Sequence, residues 1–334
     1  MTIPYRNILI IKPGAVGDLL QMTPVIRALK QAAPAARITL LVGLESSASL
    51  FRHHPDIAEV LVFDRAGAGR SGASLFPFLG RIRKARYDLV LNFQRSNMRT
   101  WLFVAAALPA RVLVYHKARG RVVHAVENYL ETLAPLSLPP AGTALEFHFG
   151  TEAGDFARKL LERHGLSGSQ LVALNPGATH AVNRWPVRRF AELADLVAER
   201  TQARPVIIGG PDDRDLAEKI VARSRSKPVS LAGATTLLQL GAVLRSCAVV
   251  VSGDTGPLHM AAAVGTKVVA LFGAADPGRT GPIGNHTRII RAQAVSCVPC
   301  GRRICKNRVY LECMERITAE EVLAAVIEQL PSRR

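Results

Sequence analysis

Short apolar runs alternate with amphipathic stretches along the whole chain, and that alternation is the βαβ pattern of a parallel sheet. Asn7–Lys12 reads as the first strand. Leu19, Met22, Ile26, Leu29 and Ala33 then fall at helical spacing, so Leu19–Ala33 is expected as one helix, stopped by Pro34. Further strands are expected at Ile38–Val42, Glu59–Phe63, Leu89–Phe93 and Val112–Tyr115, with helices near Ser74–Ala85 and Asn97–Ala107. A Pro-rich stretch, Ala134–Gly142, and one more helix, Glu152–His164, precede a second series. Its strands are Leu171–Asn175, Pro205–Gly209, Val229–Leu231, Val249–Ser252 and Val268–Phe272, with a helix at Arg188–Glu199 and a final one at Ala319–Leu330. Two such sets predict two doubly wound halves, joined somewhere between residues 135 and 168. A chain of 334 residues also exceeds what one core usually serves.

Charge narrows the partners. Forty-three Lys and Arg against 26 Asp and Glu give +17, which favours anionic partners. No aromatic residues interleave with the basic clusters Arg81–Arg86, Lys117–Arg121 and Arg302–Arg308, so nucleic acid is disfavoured. An anionic membrane face or glycolipid fits better. The longest apolar stretches fall short of the roughly 20 residues that cross a bilayer. The N-terminus runs into the first strand without a secretory signal pattern, so a cytoplasmic location is expected.

Four loops carry candidate chemistry. Lys12-Pro13-Gly14-Ala15-Val16-Gly17-Asp18 closes the first strand with Gly-x-x-Gly spacing, which matches neither the dinucleotide fingerprint nor the Walker loop. Asp18 has two readings at this point: a helix N-cap box with Gln21, or a carboxylate placed to deprotonate a hydroxyl. Ser252-Gly253-Asp254-Thr255-Gly256-Pro257-Leu258-His259 joins a strand to a helix whose free N–H groups make a ready diphosphate site. There Asp254 and Thr255 are either ligands or caps, and His259 either a ligand or a quiet helix residue. Asn175-Pro176-Gly177-Ala178-Thr179, with Arg184 following, and Gly209-Gly210 complete the strand-end loops of the second half. Cys297-x-x-Cys300-x4-Cys305-x7-Cys313 reads either as a structural zinc site or as buried reduced thiols, and Cys247 as core.

At these residues the chain resembles glycosyltransferase family 9, the ADP-heptose:lipopolysaccharide heptosyltransferases. The resemblance runs through Ile8–Leu29, Tyr87-Asp88-Leu89 with Asn92–Ser96, Pro176-Gly177-Ala178 with Arg184-Trp185-Pro186, Asp254–Ala262, Leu271-Phe272-Gly273, Gly281-Pro282 and Cys313-Met314. It implies an α/β GT-B fold, two Rossmann-like doubly wound domains facing an interdomain cleft. The domains would be 1–165, binding the acceptor, and 166–317, binding the donor, with helix 318–334 packing back on the first.

The resemblance also implies inverting transfer with no cofactor required. Asp18 would be the general base, with Gly14, Gly17, Arg95 and Lys117 toward an anionic glycolipid acceptor. Thr179, Arg184, Gly209, Gly210, Asp254, Thr255, Gly256 and His259 would hold a nucleotide-diphosphate sugar, ADP-heptose. Arg184 stands where the family is expected to carry Lys, and keeps its charge. The leading reading is heptose transfer to the lipopolysaccharide inner core, at the inner face of the membrane. Alternatives are another family 9 donor or acceptor, a nicotinamide-dependent oxidoreductase, and a nucleotide-sugar-binding protein without turnover.

Overall fold

The computed structural model describes residues 3–64, 72–94, 98–284 and 286–331. The chain divides into two compact units, residues 1–148 and 149–334.

The first unit is built on a five-stranded parallel sheet. Its strands are β1 (Asn7–Ile11), β2 (Arg37–Val42), β3 (Glu59–Val62), β4 (Leu89–Asn92) and β5 (Arg111–Val114), in the order β3-β2-β1-β4-β5. Ile8 lies opposite Ile38 on one side and Leu89 on the other. Ile8, Leu9, Ile10 and Ile11 are all fully buried. Helices cover both faces of the sheet, so a continuous apolar run replaces the two-residue alternation.

The second unit has six parallel strands: β6 (Leu171–Asn175), β7 (Arg204–Ile207), β8 (Val229–Ser230), β9 (Val249–Gly253), β10 (Lys267–Phe272) and β11 (Thr287–Arg291). Their order is β11-β10-β9-β6-β7-β8. In each sheet the chain winds outward one way, returns to the centre and winds the other way. The switch points fall between β1 and β4 and between β6 and β9. The carboxyl ends of strands at such points are where open α/β sheets bind ligands.

The structure departs from the sequence reading in several places. The helix expected over Leu19–Ala33 is two helices, Val16–Gln21 and Thr23–Ala32. Pro24 has no N–H for the carbonyl of Leu20, and the Thr23 hydroxyl donates to that carbonyl instead, at 2.7 Å. Strand β11 escaped notice because it is a half-exposed edge with Arg at two of five positions. The boundary lies at 148/149 rather than 165/166, since helix Gly150–Arg163 packs on helix Leu237–Arg245 in the second unit.

The final helix, Ala319–Gln329, does not follow the expectation that it returns to the first domain. It packs on helix Val187–Arg200 and on β9, β10 and β11. Val322, Leu323 and Val326 enter the second unit's core beside Phe190 and Met314. Its last turn is tied down where the Lys267 ammonium donates to the Gln329 carbonyl at 2.7 Å.

Candidate active site

In the first unit the chain leaves the sheet just beyond β1. The Lys12 N–H donates to the Leu41 carbonyl and the Pro13 carbonyl accepts from the Gly43 N–H, so Lys12 and Pro13 still sit in the sheet's frame. Gly14 follows at φ +155°, a backbone conformation that side-chain-bearing residues rarely adopt. Helix Val16–Gln21 starts after Ala15, which makes Asp18 its third residue and not its N-cap. The Asp18 carboxylate reaches back to the Ala15 N–H only at 3.4 Å, so capping is a weak use of it.

Its stronger contact comes from far along the chain. The Tyr129 hydroxyl, on helix Ala125–Leu130, donates to Asp18 Oδ1 at 3.0 Å. The Lys12 ammonium in turn donates to the Tyr129 oxygen at 3.1 Å and lies 3.5 Å from Asp18 Oδ2. Because Lys12 occupies the phenol's lone pair, the phenol's own proton is directed at Asp18. Burial pushes the Tyr129 hydroxyl well above the usual tyrosine range, and the Asp18 charge adds to this. It therefore stays protonated and acts as a fixed donor. Burial lowers the Lys12 ammonium, and the nearby Asp18 charge works against that shift. Asp18 itself keeps 45% of its side chain exposed, against 6% for Lys12, so the held carboxylate still meets solvent.

Gly14 and Gly17 flank this group along the chain. Lys117 is exposed on the loop after β5. That loop is bound to the Tyr129 helix through Asn128, whose Oδ1 accepts from the Tyr115 hydroxyl at 3.1 Å and the Ala118 N–H at 2.9 Å. Arg95 lies outside the described residues. Sequence reasoning missed Lys12 and Tyr129. A lysine closing an apolar strand was a usable signal for the first. Nothing local marked the second.

In the second unit the loops after β6, β7 and β9 come together at the switch point. Asn175, at the end of β6, donates from Nδ2 to Ser252 Oγ at 2.8 Å and to Thr255 Oγ1 at 3.1 Å, stitching β6 to β9. Thr255 is the N-cap residue of helix Gly256–Ala263 but makes no side-chain cap bond, so its hydroxyl does not occupy the helix's first N–H groups. Pro257 is the second helical residue, where its missing N–H costs nothing. Asp254 is held from two sides: the Thr280 hydroxyl donates to Oδ2 at 2.9 Å, and His259 Nε2 lies 3.4 Å from Oδ1. His259 is buried, and its Nδ1 has no hydrogen-bond partner among the described residues.

Arg184 folds back so that Nε and Nη2 both donate to the Ala178 carbonyl, at 3.0 and 2.8 Å, pinning the Pro176–Ala178 turn. Thr179, next in the chain, is exposed. Gly209 and Gly177 make room for a residue the sequence reading passed over. A Cβ on Gly209 would come within 2.7 Å of the Asp213 Cβ, and one on Gly177 would overlap the Asp213 carboxylate. That carboxylate also accepts from the Gly210 N–H at 2.8 Å. Asp213 and Thr280 thus join the expected residues, both carried in by helices of the second half.

Cys297, Cys300, Cys305 and Cys313 line one cavity of about 370 Å³. Tetrahedral zinc holds sulfur ligands at about 2.3 Å, and hence about 3.8 Å from one another. Among the described residues, no three of these thiols lie within 4.8 Å of one another, so the arrangement does not fit the zinc expectation. Burial, reinforced by the other three cysteines, raises the Cys313 thiol. Cys247 is core, its thiol pushed up to about 12 by burial.

The described residues do gather His54, Glu146 and His148 in the first unit. The Asp56 N–H donates to His54 Nδ1 at 3.2 Å, so neutral His54 carries its proton on Nε2, which faces Glu146 at 3.6 Å. A metal at Nε2 needs the lone pair that this tautomer lacks. Burial makes His54 costly to protonate. Desolvation, with His148 beside it, lowers His54 to about 4. In the unfolded chain it titrates near the ordinary 6.5, so stability should fall as pH drops from about 6.5 to about 4, by about 3 kcal/mol in total. Thermal midpoints across that range should fall less steeply in His54→Gln, and identical slopes would contradict the assignment.

A family model described as glycosyltransferase family 9 (heptosyltransferase) matches residues 76–311. The chain is 29% identical to lipopolysaccharide heptosyltransferase 3 of Escherichia coli K12, with 94% of this chain and 95% of that protein covered. Its structure is similar to that of a glycosyl transferase family 9 protein from Veillonella parvula, with TM-score 0.87, 26% identity and 98% of each chain covered. The E. coli ADP-heptose lps heptosyltransferase II has the same fold, with TM-score 0.78, 22% identity, and 97% of this chain and 98% of that one covered.

Proposed function

The chain belongs to glycosyltransferase family 9, and from that premise we propose that it moves a heptose from ADP-heptose to the inner core of lipopolysaccharide, with Asp18 as the base. The observation that carries the assignment of the base is the Asp18 carboxylate itself. It stands at the switch point of the first sheet, with one oxygen held by Tyr129 and the side chain still open to solvent.

The reaction is a single displacement. Asp18 takes the proton of the acceptor hydroxyl as its oxygen bonds to the anomeric carbon. The bond from that carbon to the diphosphate oxygen breaks, and ADP leaves with the electron pair. Attack from the face opposite the leaving group inverts the anomeric centre. Negative charge grows on the departing diphosphate, and the first turn of helix Gly256–Ala263 and the Arg184 guanidinium are the groups that meet it. This reading calls on no metal ion.

Thr255 and Thr179 offer hydroxyls to the phosphates, and Gly256 lets them approach the backbone. Asp254, backed by Thr280 and His259, accepts from hydroxyls of the donor. Gly209, Gly210 and Asp213 lie toward the nucleoside. Gly14, Gly17 and Lys117 are assigned to the anionic acceptor, as is Arg95 from the sequence alone. The reaction is placed in the cytoplasm, at the inner leaflet.

The test pairs binding with turnover. ADP-heptose should raise the thermal midpoint by mass action, and ADP release should appear only when heptose-deficient core acceptor is added. Stabilisation and transfer with a different nucleotide sugar would replace the donor. Binding with no product from any acceptor would favour a carrier protein over an enzyme.

A further inference from the structure

Helix Met98–Ala107 is apolar on both of its faces. Thr100, Phe103, Val104 and Ala107 point into the first unit's core. The opposite face carries Met98, Trp101, Leu102 and Ala105, where a water-facing helix would place charged residues. Met98 is 85% exposed, and Trp101 and Leu102 are exposed in part. Phe76, 78% exposed, comes from the neighbouring helix Gly72–Lys84.

The two helices pack together through Phe78 and Phe103, with ring centroids 5.4 Å apart, and both rings rest on Phe63 just past the end of β3. The patch therefore lies at the carboxyl edge of the first sheet. Arg99 and Thr100 line one small cavity with Pro13 and Gly43, which puts the start of helix Met98–Ala107 beside the loop that leads to Asp18.

Charge along the stretch of sequence that carries the patch is lopsided. From residue 65 to residue 126 the sequence has twelve Lys and Arg and a single acidic residue, Asp88. Asp88 is committed to the backbone N–H groups of Arg6 and Asn7. This stretch of 62 residues thus contributes +11 of the chain's +17 (12 − 1 = 11). Arg83 and Lys84 stand exposed on one side of the patch, and Lys117, Arg119 and the exposed Val122 are on the loop after β5. Exposed aromatic and aliphatic side chains on a strongly basic stretch of chain are complementary to a bilayer that is apolar inside and anionic at its surface. Among the described residues no helix is long and apolar enough to cross a membrane, so contact would be from the side.

We propose that the outer face of helices Gly72–Lys84 and Met98–Ala107 is a docking surface for anionic phospholipid, seating the first unit on the membrane that holds its glycolipid acceptor. This rests on the acceptor reading above. Phe76, Met98 and Leu102 enter the acyl boundary, Trp101 lies at the headgroup level, and the basic residues meet lipid phosphates. The membrane then presents the acceptor at the sheet edge that carries Asp18.

The experiment is vesicle flotation of the full chain, without donor or acceptor. Phosphatidylcholine vesicles containing phosphatidylglycerol should carry the protein up, pure phosphatidylcholine vesicles much less, and added salt should weaken the binding. The triple variant Phe76→Ser, Met98→Ser, Leu102→Ser should lose about ten-fold or more in partition, with unchanged turnover on a water-soluble core oligosaccharide. Arg83→Glu with Lys84→Glu should reduce binding independently, guarding against a folding artefact in the triple variant. Flotation of the triple variant equal to wild type overturns the proposal. So does a wild-type dimer that the triple variant splits, which would make the face an interface between copies. Vesicle binding with no heptose transfer leaves the docking surface standing and sinks the acceptor reading instead.

Discussion

Replacing Asp18 with Asn will lower transfer by about two to four orders of magnitude and leave donor affinity nearly unchanged. The substitution is close to isosteric. The Asn carbonyl still accepts from the Tyr129 hydroxyl, so the local packing survives, but the group can no longer take a proton from an incoming hydroxyl. The donor is assigned to loops of the second unit, which the change does not touch. The split is therefore in kcat, with KM for the donor and the thermal midpoint preserved. Tyr129→Phe is the companion. It removes the fixed donor to Asp18 Oδ1 while keeping the base, and one hydrogen bond to a charged group is worth about 1.5–3 kcal/mol. A loss of about ten- to a hundred-fold in kcat follows, smaller than for Asp18→Asn. Near-normal turnover in Asp18→Asn would remove this carboxylate as the base.

Gly253→Ala will cost both stability and donor binding. Gly253 ends β9 in full burial, and a Cβ there would run into the Asn183 backbone carbonyl. A backbone atom cannot swing aside as a long side chain can. Either the turn Ala181–Asn183 moves, taking Arg184 with it, or the end of β9 moves, taking Asp254 and the start of helix Gly256–Ala263. Overpacking of this kind costs about 1–3 kcal/mol, which lowers the midpoint by several degrees in a domain of this size. Donor affinity should drop by about ten-fold or more, because both routes displace a group that the proposal assigns to the donor phosphates. Gly80→Ala is the control. A Cβ at that exposed helical position meets nothing within 4 Å, and the change should be neutral or mildly stabilising. Equal midpoints and equal ADP affinity in Gly253→Ala and Gly80→Ala would show that the loop does not depend on the glycine.

Much of the loop framework around the candidate site could be read along the chain because it is encoded at short range. Gly14 and Gly17, like Gly253 and Gly256, punctuate apolar strands. Loops at strand ends therefore follow from the sequence, and with them the neighbourhoods of Asp18 and Asp254. The reading failed where a residue's role depends on a distant partner. Local neighbours leave Asp18 open between a cap and a base, and its chief contact is 111 residues away. Pro24 split a helix whose apolar spacing was continuous. The cysteine spacing suggested a closed metal site that the loop Val298–Glu312 does not form among the described residues.

The α/β class, the two winding series and the loops that carry polar groups are legible along the chain, since hydrophobic period and turn chemistry act over a few residues. That Lys12 and Tyr129 lock Asp18, that Asp213 fills the hollow left by Gly177 and Gly209, and that the last helix joins the second core emerges only from the folded chain. Those depend on strand order and on which helix lies over which strand. Such choices are made by burial summed across the whole sheet, a quantity that no local window of residues contains.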